Sequence, residues 1–370
     1  MSTLRTYNLQ NPDSASVNIE LTSDGGAVSS GILTATTLNA TTISGVSTIG
    51  VTTATVTTLT VNGNNYPSAG PLSNRNLIIN GAMQVAQRGT STTSTGYLLD
   101  RFLYSASGAT GTYSQESFTI GQTDVPGADK YLKLDITTGD NNSGIYHKIE
   151  AKNAFGAIGK KVTLSYYAKG TSPTDGLQVG ILWYDGSTSS SRADTTVTLT
   201  SSWVKYTHTF DVPSISGLTL TNASAYLEVH WQQASTDTGT AAYQLQLAQV
   251  QLEVGSVATP FEHRSYGEEL ARCMRYYERG ADTSFISVEN YWTGTTIGGT
   301  TYARVNISYR VIKRDTPSTV TVLNVDRGGF PSTNPTVTQS HAGGVGWYLL
   351  SNSNNNDSYL GVKWVADAEL

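Results

Sequence analysis

The chain has 370 residues, a net charge of −5 and a charged fraction of only 14%. Nucleic-acid binding needs clustered Lys and Arg to displace counterions, so the composition excludes that class, and an anionic membrane surface with it. The single cysteine, Cys273, excludes an internal disulfide framework and points to synthesis in a reducing compartment. Nothing approaches the roughly 20 consecutive apolar residues of a membrane span. Met1–Gln10 has neither an apolar run nor a cleavage-like site, so no signal peptide is expected and lysis is the simpler exit if the protein works outside a cell.

Residues 1–24 are mixed and polar. Val17, Ile19 and Leu21 alternate with polar neighbours and predict one strand in a piece too small to hold a core. From Gly25 to Asn74 there is no Asp, Glu, Lys or Arg. Within 25–65 the apolar positions Leu38, Ile43, Val46, Ile49, Val51, Val56, Leu59 and Val61 recur every two, three or five residues among threonines, serines and glycines. β-branched residues favour extended backbone. One copy of this segment buries almost nothing, whereas three copies around an axis would point these aliphatics inward and leave no free strand edge. A trimeric β shaft is therefore predicted, with a solvated Ser/Thr-rich linker as the plain alternative. Residues 66–76, which include Tyr66-Pro67-Ser68, read as a hinge.

Residues 77–263 read as strands at Tyr131–Thr138, Gly144–Glu150, Val162–Ala168, Leu177–Tyr184, Trp203–Val212, Ala225–Gln232 and Tyr243–Val254, with turns such as Asp185-Gly186 between them. This spacing predicts a two-sheet jelly-roll sandwich. A helix is predicted over 265–279, opened by Ser265 and Glu268 as a capping box and closed by Gly280, with Leu270, Cys273, Met274 and Tyr277 on one face. Residues 264–280 thus form a connecting helix. Residues 281–370 return to strands and read as a small C-terminal β-domain. The fold class is mainly β: shaft, sandwich, one short helix, small β tip.

Three stretches carry a resemblance. They are NRNLIINGAMQVAQRG (74–89) with LDRF (99–102), AQVQLEVGSVATPFEHRSYGEELARCMRYY (248–277) and ADAEL (366–370). Together they resemble tailed-phage tail-fibre proteins with a carbohydrate-binding-module-like sandwich and a receptor-facing tip, and the Thr-rich segment resembles cyanophage fibre shafts. The resemblance implies a homotrimer, attachment to another virion protein through residues 1–24, location on the virion, and adhesion to host surface carbohydrate. It supplies no binding residues.

Chemistry is sparse. His147, His208, His230, His263 and His341 are isolated, without a metal-binding spacing. Asp135, Glu150, Asp185, Asp211 and Glu228 are the carboxylates a polysaccharide-cutting site could pair. No catalytic residue is assigned and no enzyme is expected. The turn Asp140-Asn141-Asn142 offers oxygen ligands for a structural calcium ion, and no other cofactor is expected.

Aromatic residues carry the binding signal, because sugar C–H faces stack on rings while polar neighbours bond the hydroxyls. The candidates are Trp183, Tyr184 and Asp185; Trp231 and Gln232; Tyr291 and Trp292; and Trp347 and Tyr348. For each ring, packing in a core or between subunits is the competing reading. Trp203 and Trp364, inside predicted strands, read as core. Residues 351–357 (SNSNNND) read as a tip loop. Three functions stay open: a receptor-binding fibre, a purely structural capsid, neck or baseplate fibre or decoration, and a depolymerising tailspike.

Overall fold

A computed structural model describes residues 8–9, 19–21, 27–29, 58–61, 64–67, 74–140, 143–234, 242–280, 302–328, 336–350 and 359–370. The chain divides into two units, Met1–Thr55 and Val56–Leu370. In the first, Asn8–Leu9 (β1), Ile19–Leu21 (β2) and Ala27–Ser29 (β3) make an antiparallel sheet in the order β1-β2-β3. Of the predicted shaft positions, Leu38, Ile43, Val46, Ile49, Val51 and Val56 lie outside the described residues. Leu59 and Val61 lie in Thr58–Val61 (β4), which pairs within the chain with Asn64–Pro67 (β5). Tyr66 and Pro67 of the predicted hinge are therefore strand residues.

The second unit is built on a sandwich. Its strands are Ser91–Thr92 (β6), Gly96–Tyr97 (β7), Phe102–Ser105 (β8), Thr110–Ser117 (β9), Lys130–Thr138 (β10), Gly144–Glu150 (β11), Lys161–Thr171 (β12), Leu177–Tyr184 (β13), Ala193–Val197 (β14), Val204–Asp211 (β15), Tyr226–Gln233 (β16) and Tyr243–Val254 (β17). They form two six-stranded antiparallel sheets, β15-β12-β17-β10-β9-β6 and β14-β13-β16-β11-β8-β7. The chain changes sheet repeatedly, as a jelly roll does. Period-2 alternation decides which side chains enter the core. Leu132, Leu134 and Ile136 of β10 and Leu245 and Leu247 of β17 face Val179, Ile181 and Trp183 of β13 and Leu227, Val229 and Trp231 of β16, all fully or almost fully buried. Tyr166 and Trp231 meet edge to face across the sheets, centroids 5.6 Å apart.

Four residues from Ala151 to Ala154 (α1) follow β11, and Tyr266–Met274 (α2) follows the sandwich. Ser265 caps α2 by accepting from Glu268 N at 3.3 Å. The helix is shorter than predicted. Tyr277–Arg279 (β18) leaves it to pair with Tyr359–Asp367 (β23), and β23 also pairs with Thr319–Gly328 (β20). The reason is packing: the Tyr276 ring lies under the Arg101 guanidinium and the Tyr277 ring under that of Arg88, each at 3.5 Å. Strand geometry sends neighbouring rings to opposite sides, which a helix cannot do. Gly280 caps no helix; a Cβ there would lie 2.7 Å from the Trp364 indole nitrogen. A second sheet joins Tyr302–Ser308 (β19), Gly344–Leu350 (β22) and Thr336–His341 (β21). Trp347 and Val345 of this sheet, Val322, Trp364 and Ala366 of the β18-β23-β20 sheet, and Tyr309 form one core, so Trp364 is a core residue as predicted.

The three motif stretches converge on the sandwich. Asn76 accepts from Ile78 N (2.9 Å) and Leu252 N (3.1 Å) and donates to Val250 O (3.1 Å). Leu77 N donates to Leu252 O and Val250 N to Gly81 O, both at 2.9 Å. β17 makes room for this strap by a bulge: its register against β12 shifts between Ser165 and Tyr167, and Gln249 takes φ +47°. Gly81 is required there, because a Cβ would sit 2.1 Å from Val250 O. Arg264 donates to Ile78 O at 3.0 Å, and buried Glu269 accepts from Asn80 N at 2.6 Å.

The third stretch docks at the same edge. Arg101 is 1% exposed and pairs with Glu369 while donating to Lys148 O. Burial works against its charge, but Glu369 together with Tyr276, Tyr97 and Cys273 outweighs this and raises its pKa. Arg88 bonds Asp367 at 3.1 Å and Glu369 at 3.3 Å. Beside it, Glu150 accepts from Arg275 (2.9 and 3.2 Å) and from Tyr276 Oη (2.7 Å). Burial alone would raise the Glu150 pKa; the bonds from Arg275, Lys152 and Tyr276 reverse this and hold it at about 2.

Two outcomes are expected. Glu369→Ala leaves a buried guanidinium unpaired and should cost about 3–5 kcal/mol in urea unfolding, most of it recovered when Arg101 is also changed to Met. Glu150 has a depressed pKa, so its stabilisation is complete above its ordinary value of 4.5 and is lost as pH falls toward about 2. Asp100, pushed up to about 6 by burial, acts in the opposite sense, lowering stability as pH rises through that value. The difference in melting temperature between wild type and Glu150→Gln should therefore shrink on acidification through this window.

Candidate functional site

Alternation that fills the core also fixes what each sheet shows to solvent. On the first sheet, Lys133 of β10 is registered with Gln246 of β17 and Ser114 of β9, and Gln246 with Lys169 of β12. The next outward row joins Thr112, Asp135, Gln244 and Thr171. Lys133 and Asp135 pair at 2.9 Å, which raises the lysine pKa and lowers the carboxylate pKa. Gln246 donates to Gln244 at 2.5 Å.

Beside these rows lie three aromatic rings. Phe118 follows β9, Tyr131 lies in β10 and Trp203 immediately precedes β15. Their centroids are 4.8 Å (Phe118–Tyr131), 5.2 Å (Phe118–Trp203) and 5.4 Å (Tyr131–Trp203) apart. All three are half-buried and none belongs to the hydrophobic core. Lys169 Nζ stands 5.2 Å from the Trp203 ring. Burial and the nearby Glu116 charge raise the Tyr131 pKa, so the ring stays neutral. Ala248, outward by alternation, is nevertheless 0% exposed, so the solvent side of β17 is covered there. The arrangement is a part-exposed aromatic platform bordered by Lys, Asp and two Gln side chains. It can stack on the flat face of a ring and bond its hydroxyls.

Trp203, read as core from its place in a strand, is instead a surface ring, because it stands at the outer edge of the sheet. Tyr131 was legible: in YLKLDI, Leu132, Leu134 and Ile136 claim the core, so Tyr131, Lys133 and Asp135 must face out. Phe118 carries no periodic signal.

The predicted aromatic sites fall elsewhere. Trp183 and Trp231 are 0% exposed and belong to the core. Tyr184 and Gln232, their strand neighbours, face outward on the second sheet. There Tyr146 Oη donates to Gln232 (2.9 Å), Gln232 donates to Gln178 (3.1 Å), and Tyr184 packs on Tyr226 at 5.0 Å. His230 is 0% exposed between Asp194 (2.9 Å) and Glu228 (3.5 Å). This face spends its polar groups on one another, and Gln232 is only 3% exposed. Asp185 accepts from the backbone N–H groups of Ser187, Thr188 and Thr219 at 2.7–3.1 Å, which lowers its pKa and makes it the tie of its loop. Trp347 is core, while Tyr348 borders a cavity of about 420 Å³ with Asn306, Thr338 and Gln339. Tyr291, Trp292 and residues 351–357 lie outside the described residues.

The carboxylates weighed for catalysis are engaged separately: Asp135 with Lys133, Glu150 with Arg275, Asp185 with amides, Asp211 with Lys161 and Glu228 beside His230. Asp140 Oδ2 accepts from the consecutive amides of Ser107, Gly108 and Ala109 at 2.6–3.0 Å and so caps that loop, and Asn141 and Asn142 lie outside the described residues. Among the described residues, no three or more His, Cys, Asp and Glu gather as a metal site, and no helix is long and apolar enough to cross a membrane.

No protein-family model and no curated protein matches the chain. Solved structures similar to it include a structure titled "CBM4 structure and function" (20% identity, TM-score 0.32, covering 48% of this chain and 99% of the other). Another is a family 11 carbohydrate-binding module from Clostridium thermocellum in complex with a mixed-linked tetrasaccharide (13%, 0.29, 45% and 96%). A third is the enzymatically active domain of tailspike protein 4 of bacteriophage CBA120 (15%, 0.32, 51%), of which this chain covers only 24%. Likeness at this level decides neither fold nor ligand, and the sandwich rests on its own strand pairing.

Asp185→Ala should lower the melting temperature by loosening the 185–188 turn against residue 219, while Trp203→Ala should leave it nearly unchanged; differential scanning calorimetry of the two variants checks both.

Proposed function

We propose that this chain is a non-enzymatic adhesive fibre protein of a tailed phage, in which the outer face of the first sandwich sheet binds a host-surface glycan. The observation that carries the reading is the Phe118–Tyr131–Trp203 cluster. Three aromatic rings held together outside the core, next to two polar rows, place apolar surface where water still reaches it. Exposed apolar surface bordered by polar groups marks interaction sites. Its mixture of flat rings with amide, ammonium and carboxylate groups suits a chain of sugar rings better than a protein hot spot, which is drier and less polar.

The fibre part of the reading rests on the resemblance of the three motif stretches and on the uncharged 25–65 segment, whose aliphatics call for copies of themselves. Homotrimerisation, attachment through residues 1–24 and a place on the virion belong to this proposal. A purely structural fibre or decoration protein shares the fold and differs in having no ligand.

On a glycan array, the full chain should bind a restricted set of glycans. Trp203→Ala and Tyr131→Ala should each weaken the best hit by about tenfold or more. Both variants should melt like the wild type. Absence of any bound glycan, together with undiminished infection when the chain competes for host cells, would leave only the structural reading. Shortened host polysaccharide after incubation would instead make it an enzyme.

A further inference from the structure

A second cavity, of about 340 Å³, opens where β11 runs into α1 and faces the 220–225 loop. Its volume is at the small end of the roughly 300–1,000 Å³ range of ligand sites, enough for one or two sugar rings. The walls are tied in place. Ala151 N donates to Ala225 O at 3.0 Å, Ala225 N to Asn222 O at 3.0 Å, and Arg314 Nη1 to Ala223 O at 2.7 Å.

Charge and apolar surface are both unbalanced there. Glu150 is the single lining carboxylate, and it is already met by Arg275, Tyr276 and Lys152. Lys152 and Arg314 line the same cavity. Of the three ammonium hydrogens of Lys152, Glu150 takes one at 2.8 Å. Of the five N–H of Arg314, three go to the carbonyls of Ala368, Ala223 and Glu369. Two donors on each side chain therefore stay available to an acceptor in the cavity. Phe155 lines it too and is 45% exposed, although nearly every other large apolar side chain of the sandwich is buried.

We infer that this cavity is a site for a carboxylated sugar unit of the hexuronic acid type, separate from the glycan face of the first sheet. The ring's apolar face packs on Phe155, its carboxylate takes the remaining donors of Lys152 and Arg314, and Thr221 and Asn222 meet its hydroxyls. A neutral sugar would offer the remaining donors of those cations no charged acceptor, and a bare anion would leave Phe155 uncovered. The site rests on its own residues and does not depend on Trp203.

The test is calorimetric titration of the full chain with digalacturonate, with the neutral disaccharide galactobiose and with inorganic phosphate. Digalacturonate should bind at least about tenfold more tightly than either of the others. Lys152→Gln and Phe155→Ala, both at exposed positions, should each lower its affinity by about five- to tenfold while the chain stays folded at the titration temperature. Trp203→Ala should leave digalacturonate binding intact even if it abolishes binding of the array hit. No detectable digalacturonate binding overturns the assignment. So does equal affinity for galactobiose or for phosphate, indifference to both Lys152→Gln and Phe155→Ala, or loss of digalacturonate binding in Trp203→Ala.

Discussion

The buried contact between Arg101 and Glu369 sets the architecture of the large unit. A guanidinium with 1% exposure is tolerable only with a carboxylate and a carbonyl at hand and an aromatic face against it, and Glu369, Lys148 and Tyr276 supply these. Arg88 repeats the arrangement with Asp367, Glu369 and Tyr277. Holding Tyr276 and Tyr277 under two cations ends the helix at Met274 and starts β18, and β18 seeds the sheet that continues through β23 and β20. Its position also fixes Glu278, which meets Lys313 at 2.6 Å with both side chains fully buried. Burial lowers the Lys313 pKa and Glu278 partly restores it. Further in, His147 packs edge to face on Phe102, and burial together with Arg101 keeps its ring neutral. Charge here is spent on joining parts, and the motif stretches that resemble phage fibres are largely the residues of this joint.

Local periodicity was readable and long-range polar bonding was not. Gly144–Glu150, Leu177–Tyr184 and Tyr243–Val254 appear with the predicted bounds, because in each the apolar pattern and the flanking turns agree. The helix was overrun at its end because a helical period continues through Tyr277 while the deciding partners lie at Arg88 and Arg101. Asn76, Arg264 and Glu269 bond backbone groups roughly 170–190 positions away, which no window of neighbouring residues can encode. Candidate binding residues suffered from a one-position ambiguity. A Trp-Tyr or Trp-Gln pair in a strand sends one side chain to each face, and the larger ring went to the core at Trp183 and Trp231.

The two outer faces of the sandwich show how one scaffold yields opposite surfaces. On the second sheet, Tyr146, Gln178, Gln232, His230 and Asp194 close hydrogen bonds with each other, and Gly180 leaves the space that Asp194 occupies; a Cβ there would meet its Oδ1 at 2.0 Å. On the first, Phe118, Tyr131 and Trp203 pack on each other beside Lys169 and keep part of their surface in water. A self-satisfied surface resists ligands by already holding the bonds that a ligand would offer, whereas a bare ring cluster gains from any flat partner that displaces its water.

Arg101 and Glu369 are separated by 268 positions. On a ribosome adding about 5–20 residues per second, the sandwich edge at Arg101 is made roughly 13–54 s before its counter-charge exists. Through that interval burying the guanidinium carries the cost of an unpaired charge, which opposes packing of the β7–β8 side of the sandwich. Completion of this edge is thus tied to the last stretch of the described chain, because the carboxylate that Arg101 meets arrives only with position 369.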